Sequence, residues 1–119
     1  MTRTVHQRRS KIQERRGARQ YGGHLTPGSG NQWHSKGDIV TSAEMIEMKT
    51  TTKSIYPLDS RELRKLWDNA LLDNKTPVFE VEFAEDGMTV VVLDKEDFIM
   101  FRQIAKYAGS YDISEGEIQ

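Results

Sequence analysis

The sequence predicts an α/β fold with the element order α-β-β-α-β-β-α, its helices flanking a mixed, largely antiparallel sheet. Three observations carry that prediction. "PVFEVEF", residues 77–83, sets Phe79, Val81 and Phe83 against Val78, Glu80 and Glu82, the period of two expected of a strand. Leu63, Leu66, Trp67, Ala70 and Leu71 recur at the 3-4 spacing of one helical face. Residues 38–49 read as two short strands around Ser42-Ala43, and Asp86-Gly87 marks a second tight turn before "MTVVVL".

In chain order, residues 2–20 are good helix formers with Val5, Ile12 and Ala18 as their few apolar anchors, so that helix needs tertiary or nucleic-acid contacts to persist. "YGGHLTPGSGNQWHSK", residues 21–36, holds four glycines and a proline and reads as a long loop. Strands follow at 38–41 and 44–49, then a helix over 59–73 that Asp59 or Ser60 can cap and Pro77 closes off. Trp67 belongs to its buried face. Strands at 78–83 and 88–93 precede a last helix over 95–107, expected to bury Phe98, Phe101, Ile104 and Ala105. Residues 108–119 read as a polar tail. The whole is one domain: a basic arm (1–20), a glycine-rich loop (21–36), a core (37–107) and the tail.

A chain of 119 residues buries roughly two thirds of its unfolded surface, enough for one modest core. It has no cysteine, so a disulfide framework and a thiolate metal site are excluded, and a cytoplasmic location is permitted. Any metal must be held by oxygen or histidine. The longest apolar run, 90–93, is far short of the ~20 residues of a membrane helix. Asn74-Lys75-Thr76 matches a glycosylation sequon, read here as an accident of a turn.

The net charge of −1 hides an asymmetry. Up to Gly37, Arg3, Arg8, Arg9, Lys11, Arg15, Arg16, Arg19 and Lys36 face the single acid Glu14; of the chain's 17 basic and 18 acidic residues, 9 and 17 remain beyond it. A basic arm preceding an acidic body fits nucleic acid, since Lys and Arg on phosphates release condensed counterions, and it also fits a solvated tail.

The hairpin "GDIVTSAEMIEMK", residues 37–49, carries the chemistry. With its turn at Ser42-Ala43, antiparallel register sets Ile39 against Ile46, Val40 against Met45 and Asp38 against Glu47. Directly opposed residues have Cβ atoms ~4.5–5.5 Å apart, where two carboxylates repel unless a cation lies between them. Lys49 falls on the same face as Glu47. Carboxylates suit Mg²⁺, with Mn²⁺ able to substitute, and a bound ion of this kind activates water and stabilises charge on phosphate. An ammonium beside it orients the water or offsets phosphate charge. The bland alternative is a solvated edge with a salt bridge.

Asp38 followed by Glu47-Met48-Lys49 resembles the Asp…Glu-x-Lys core of the PD-(D/E)xK nuclease superfamily, and the wider layout resembles the archaeal-type Holliday junction resolvases and their phage relatives. "PGSGN", residues 27–31, is similar to that family's Gly-Ser-Gly loop, and Glu14 stands where an N-terminal-helix glutamate completes the site. The resemblance implies a restriction-endonuclease-like core, Mg²⁺ held by Asp38, Glu47 and Glu14, a catalytic Lys49, and DNA contact by Ser29. It further implies a homodimer that cuts a four-way junction twice, in a prokaryotic or phage-infected cell. Gly37-Asp38 replaces the superfamily's usual Pro-Asp, and the spacing from Glu14 to the loop is short for these resolvases.

Arg8, Arg9, Lys11, Arg15, Arg16, Arg19 and Lys36 are the expected phosphate-gripping residues. Lys53 either joins them or is a solvated lysine. Tyr21 and Trp33 either stack on bases or close the loop onto the core. His24 and His34 have no partner at metal-ligand spacing and read as polar loop residues.

Overall fold

A computed structural model describes residues 5–25 and 38–116, with side chains to residue 109. Its elements are α1 (Val5–Tyr21), β1 (His24–Leu25), β2 (Ile39–Val40), β3 (Glu44–Thr51), α2 (Ser60–Leu72), β4 (Thr76–Phe83), β5 (Met88–Val92) and α3 (Lys95–Gly116). The five strands form one sheet in the order β1-β2-β3-β4-β5. β3 and β4 run parallel, joined through α2, and the other three pairings are antiparallel. The architecture is thus the expected α/β type with a mostly antiparallel sheet between helices.

The β2–β3 hairpin has the expected register, Ile39 against Ile46 and Val40 against Met45. Its turn is held by Thr41, whose hydroxyl accepts the amides of Ala43 and Glu44. The sheet gains β1 from the stretch expected to be loop: His24 pairs with Val40, and Leu25 with Ile39. Gly22, at φ +70°, turns the chain out of α1 into that strand.

Both faces of the sheet centre are covered. On one face α2 packs Leu66 and Ala70 on Met45, Phe79 and Val81, with Tyr56, Leu63 and Trp67 at the margin. On the other, α1 lays Ala18 and Tyr21 on Ile39, Ile46, Met48 and Val78. β4, expected to be half buried, is therefore buried on both faces; even Glu80 is only 5% exposed. Strand alternation places residues 45, 47, 49 and 51 towards α2, and 46, 48 and 50 towards α1.

α1 docks mainly through polar bonds, which explains why its sequence offers few apolar anchors. Gln13 Nε2 donates to the Lys49 carbonyl (2.9 Å) and to Glu80 Oε2 (3.1 Å). Tyr21 donates its hydroxyl proton to Glu80 Oε1 (2.7 Å), and Arg16 pairs with Glu82. Gly17 lets the helix approach, since a Cβ there would stand 2.7 Å from Met48 Sδ.

Several element expectations are corrected. Asp38 lies outside β2, because its carboxylate is spent on a backbone amide of β3. Leu71 is exposed, being about 100° round the helix from Ala70. Trp67 is half buried at the core margin, its indole N–H donating to Asp94 Oδ1. α3 runs on to Gly116, so most of the expected tail is helical. Phe98, Phe101, Ile104 and Ala105 are exposed rather than buried, because α1 and α2 cover only the sheet centre and α3 does not fold back over β5, whose residues 88–91 are themselves exposed. No helix among the described residues is long and apolar enough to cross a membrane.

Candidate functional site

The site forms where β3 passes between Asp38 and α2. Asp38 Oδ2 accepts the Met48 amide at 2.7 Å, while the Asp38 amide donates to the Ile46 carbonyl, also at 2.7 Å. These two bonds fix Asp38 at the mouth of the hairpin, close enough for its charge to act on Glu47. Lys49 Nζ lies 3.4 Å from Glu47 Oε2 and 3.1 Å from Glu62 Oε2. Glu62, in the first turn of α2, also takes a long bond from the Tyr56 hydroxyl, and the Tyr56 ring rests against Phe79.

Charge and burial set the protonation states. Burial, followed by the negative charge of Asp38, raises the Glu47 carboxyl above the usual carboxylate range, against the opposing pull of Lys49. Burial pulls Lys49 down, but the charge of Glu47, the bond to Glu62 and that carboxylate's charge outweigh it, so its value is raised. Lys49 is therefore an ammonium at neutral pH, a donor rather than a base. Tyr56 is raised by burial and by Glu62.

Asp38 and Glu47 suit a hard divalent ion: two carboxylates, mutually repelling and partly withdrawn from water. Mg²⁺ commonly takes only one or two carboxylates from a protein and completes its shell with water and substrate phosphate. Among the described residues no three of His, Asp and Glu gather closely enough to hold a metal.

Of the residues expected at the site, Asp38, Glu47 and Lys49 come together and Glu14 does not. Glu14 sits on α1, whose helix covers the opposite face of the sheet, and pairs there with Lys11 at 3.5 Å. Ser29 and Lys36, with Trp33 and His34, lie outside the described residues. The arginines of α1 divide by role. Arg16 is a structural clamp on Glu82, whereas Arg8, Arg15 and Arg19 are exposed. Arg9 and Lys53 line a cavity of about 370 Å³ with His6, Thr50, Thr51 and Thr52, between the start of α1 and the end of β3. Arg9 pairs with Glu85 at 3.5 Å, while its Nε is buried without a hydrogen-bond partner.

Sequence reasoning missed three residues. Glu62 is the first, and a carboxylate in the first turn of a helix packed on the same sheet face as Lys49 is the signal for it. Tyr56 carries no signal in the sequence. Gln13 holds the Lys49 carbonyl from the far side of the sheet and could be found only from the packing. Compared with protein-family models, curated proteins and solved structures, the chain matches none.

Proposed function

We propose that this chain is a metal-dependent endonuclease of branched DNA, similar in its core motif to Holliday junction resolvases. The observation that carries the reading is the Lys49 ammonium held by Glu47 and Glu62 beside the Asp38–Glu47 carboxylate pair. Asp38 and Glu47 would hold Mg²⁺, or Mn²⁺ in its place, and the ion when bound supplies Lewis-acid stabilisation of phosphate charge and a more acidic water. Lys49 donates hydrogen bonds to the attacking water or to a phosphate oxygen, and Glu62 aims it. Attack of the water oxygen on phosphorus breaks one P–O bond and leaves a phosphomonoester and a hydroxyl. Arg9, His6 and Lys53, with the three threonines beside them, offer a place for a neighbouring backbone phosphate.

A second reading, a DNA-binding protein without catalysis, is favoured by one observation: Asp38 already spends an oxygen on the Met48 amide. The two are separated by incubating the purified chain with Mg²⁺ on a synthetic four-way junction and on linear duplex. Paired nicks at the junction, lost in Glu47→Ala and Lys49→Ala while binding persists, are the expected outcome. Uniform cutting of both substrates points to a nicking or restriction-like nuclease. Binding without any cutting selects the second reading, and equal cleavage by Lys49→Ala refutes the role given to that lysine.

A further inference from the structure

The cavity between the start of α1 and the end of β3 holds more cationic and hydroxyl donors than the fold uses. Its volume, about 370 Å³, falls at the low end of the ~300–1,000 Å³ of small-ligand clefts. His6 and Arg9 enter it from the opening turns of α1, and residues 50–53, the run Thr-Thr-Thr-Lys, from the end of β3. Only part of this donor set is spent inside the chain. The Thr50 hydroxyl donates to Glu82 Oε1 at 3.0 Å. The Thr51 hydroxyl accepts the Lys53 amide at 3.1 Å, which leaves its own proton to give. Among the described residues, the side chains of His6, Thr52 and Lys53 make no hydrogen bond or ion pair.

Arg9 is the least settled of the lining residues. It pairs with Glu85 at 3.5 Å, a carboxylate that is itself 62% exposed, while its Nε is buried with no acceptor. A withdrawn donor without a partner carries its desolvation cost uncompensated. An anion that draws the guanidinium off Glu85 relieves that cost and gains a fork of donors.

Charge and placement narrow the class of anion. Arg9 and Lys53 bring two positive charges, and among the described residues Glu85 is the only carboxylate paired with a lining cation. A backbone diester carries one negative charge and two free oxygens, and the strand must continue on both sides of it. A terminal phosphate carries roughly −1.5 to −2 at neutral pH and presents three acceptor oxygens, which matches two cations and the donors left over. Lys49 reaches Glu62 on the α2 side of β3, whereas the cavity lies towards α1. Backbone running past Lys49 would have to turn round the end of β3 to enter the cavity. A phosphate that ends a strand, or a free one, has no such path to follow.

We propose that this cavity binds a terminal phosphate, the phosphomonoester that ends a nucleic-acid strand or that of a free nucleotide, with Arg9 exchanging Glu85 for the ligand. This refines the place given above to a backbone phosphate and does not depend on cleavage, because binding is read in EDTA, where a metal-dependent nuclease is silent. The full chain is titrated at fixed ionic strength with inorganic phosphate, with a nucleoside 5′-monophosphate, and with a short single strand carrying or lacking a 5′-phosphate. The first two and the phosphorylated strand should each move the Arg9 Nε–H resonance in ¹⁵N NMR, and the 5′-phosphate should tighten the strand roughly 10-fold. Lys53→Ala, at an exposed position, should weaken phosphate binding by a similar factor with circular dichroism unchanged. Glu85→Gln should strengthen it several-fold, since the competing carboxylate is gone. Tighter binding of the phosphorylated strand than of the mononucleotide assigns the site to a strand end, and equal binding of those two assigns it to a free nucleotide. Equal affinity for the phosphorylated and unphosphorylated strands overturns the proposal and returns the cavity to a backbone phosphate. Phosphate binding unchanged in both Lys53→Ala and Glu85→Gln overturns it as well.

Discussion

Replacing Gln13 with alanine tests how α1 is fastened to the sheet. Gln13 is 1% exposed and its side-chain amide donates twice, to the Lys49 carbonyl at 2.9 Å and to Glu80 Oε2 at 3.1 Å. Truncation removes one bond to a neutral acceptor, about 1 kcal/mol, and one to a carboxylate, about 1.5–3 kcal/mol, and leaves both acceptors underused in a buried place. The expected loss is about 3 kcal/mol, with a fall in Tm on the order of 10 °C for a domain of this size. Urea unfolding should show the lower midpoint at unchanged slope. A double-mutant cycle with Glu80→Gln should return a coupling of at least about 1 kcal/mol, since the two side chains touch. A loss under about 1 kcal/mol for Gln13→Ala, or strict additivity with Glu80→Gln, would refute the reasoning.

Three further outcomes follow from the packing. Gly17→Ala adds a Cβ 2.7 Å from Met48 Sδ and 2.9 Å from Ile39 Cδ1, so it should cost about 1–3 kcal/mol in spite of alanine's helix preference, with Met48→Ala restoring part of it in the same unfolding assay. Phe79→Ala, at a fully buried position, should cost about 3–5 kcal/mol by calorimetry or urea titration. Burial, then the bond to Glu80 and its charge, raise the Tyr21 phenol above its ordinary value of 10. Above that pH the unfolded chain releases the proton that the folded chain retains, so stability falls as pH rises. Tyr21→Phe should be less stable at pH 8 yet lose less between pH 10 and 12, by at most about 1.4 kcal/mol per pH unit. Parallel curves for the two proteins would contradict the assignment.

Apart from β1, which lies in the stretch expected to be loop, the order of the helices and strands was legible in the chain because local rules decide it. Period-two alternation marked 78–83, the 3-4 stripe marked α2, and hairpin register followed from turn position, which is why Ile39 meets Ile46 and Glu47 and Lys49 share a face. Those same rules placed three of the four expected site residues together. What lies beyond them depends on which surfaces meet. Only packing could reveal that β4 is covered on both faces, that Glu80 and Glu82 are docking points for α1, and that Glu62 reaches Lys49 across the α2 layer.

Glu14 shows the limit from the other side. Its place in the chain says it is on a basic helix, but which face of the sheet that helix covers is decided by Gly17 against Met48 and by Gln13 on Lys49, contacts between residues more than thirty positions apart. α3 shows it again: its apolar residues are plain in the sequence, and periodicity says that such a helix wants burial. Whether it folds back onto its own sheet is a property of the assembled layers: α1 and α2 cover the sheet centre, and α3 makes no more than marginal contact with the rest of the described fold. The sequence by itself determined the elements other than β1 and the far end of α3, the register at the hairpin, and which charged residues share one strand. The tertiary structure decided which charges are shared, which are withdrawn from water, and which apolar surface is left over, because each depends on layers closing over one another rather than on neighbours along the chain.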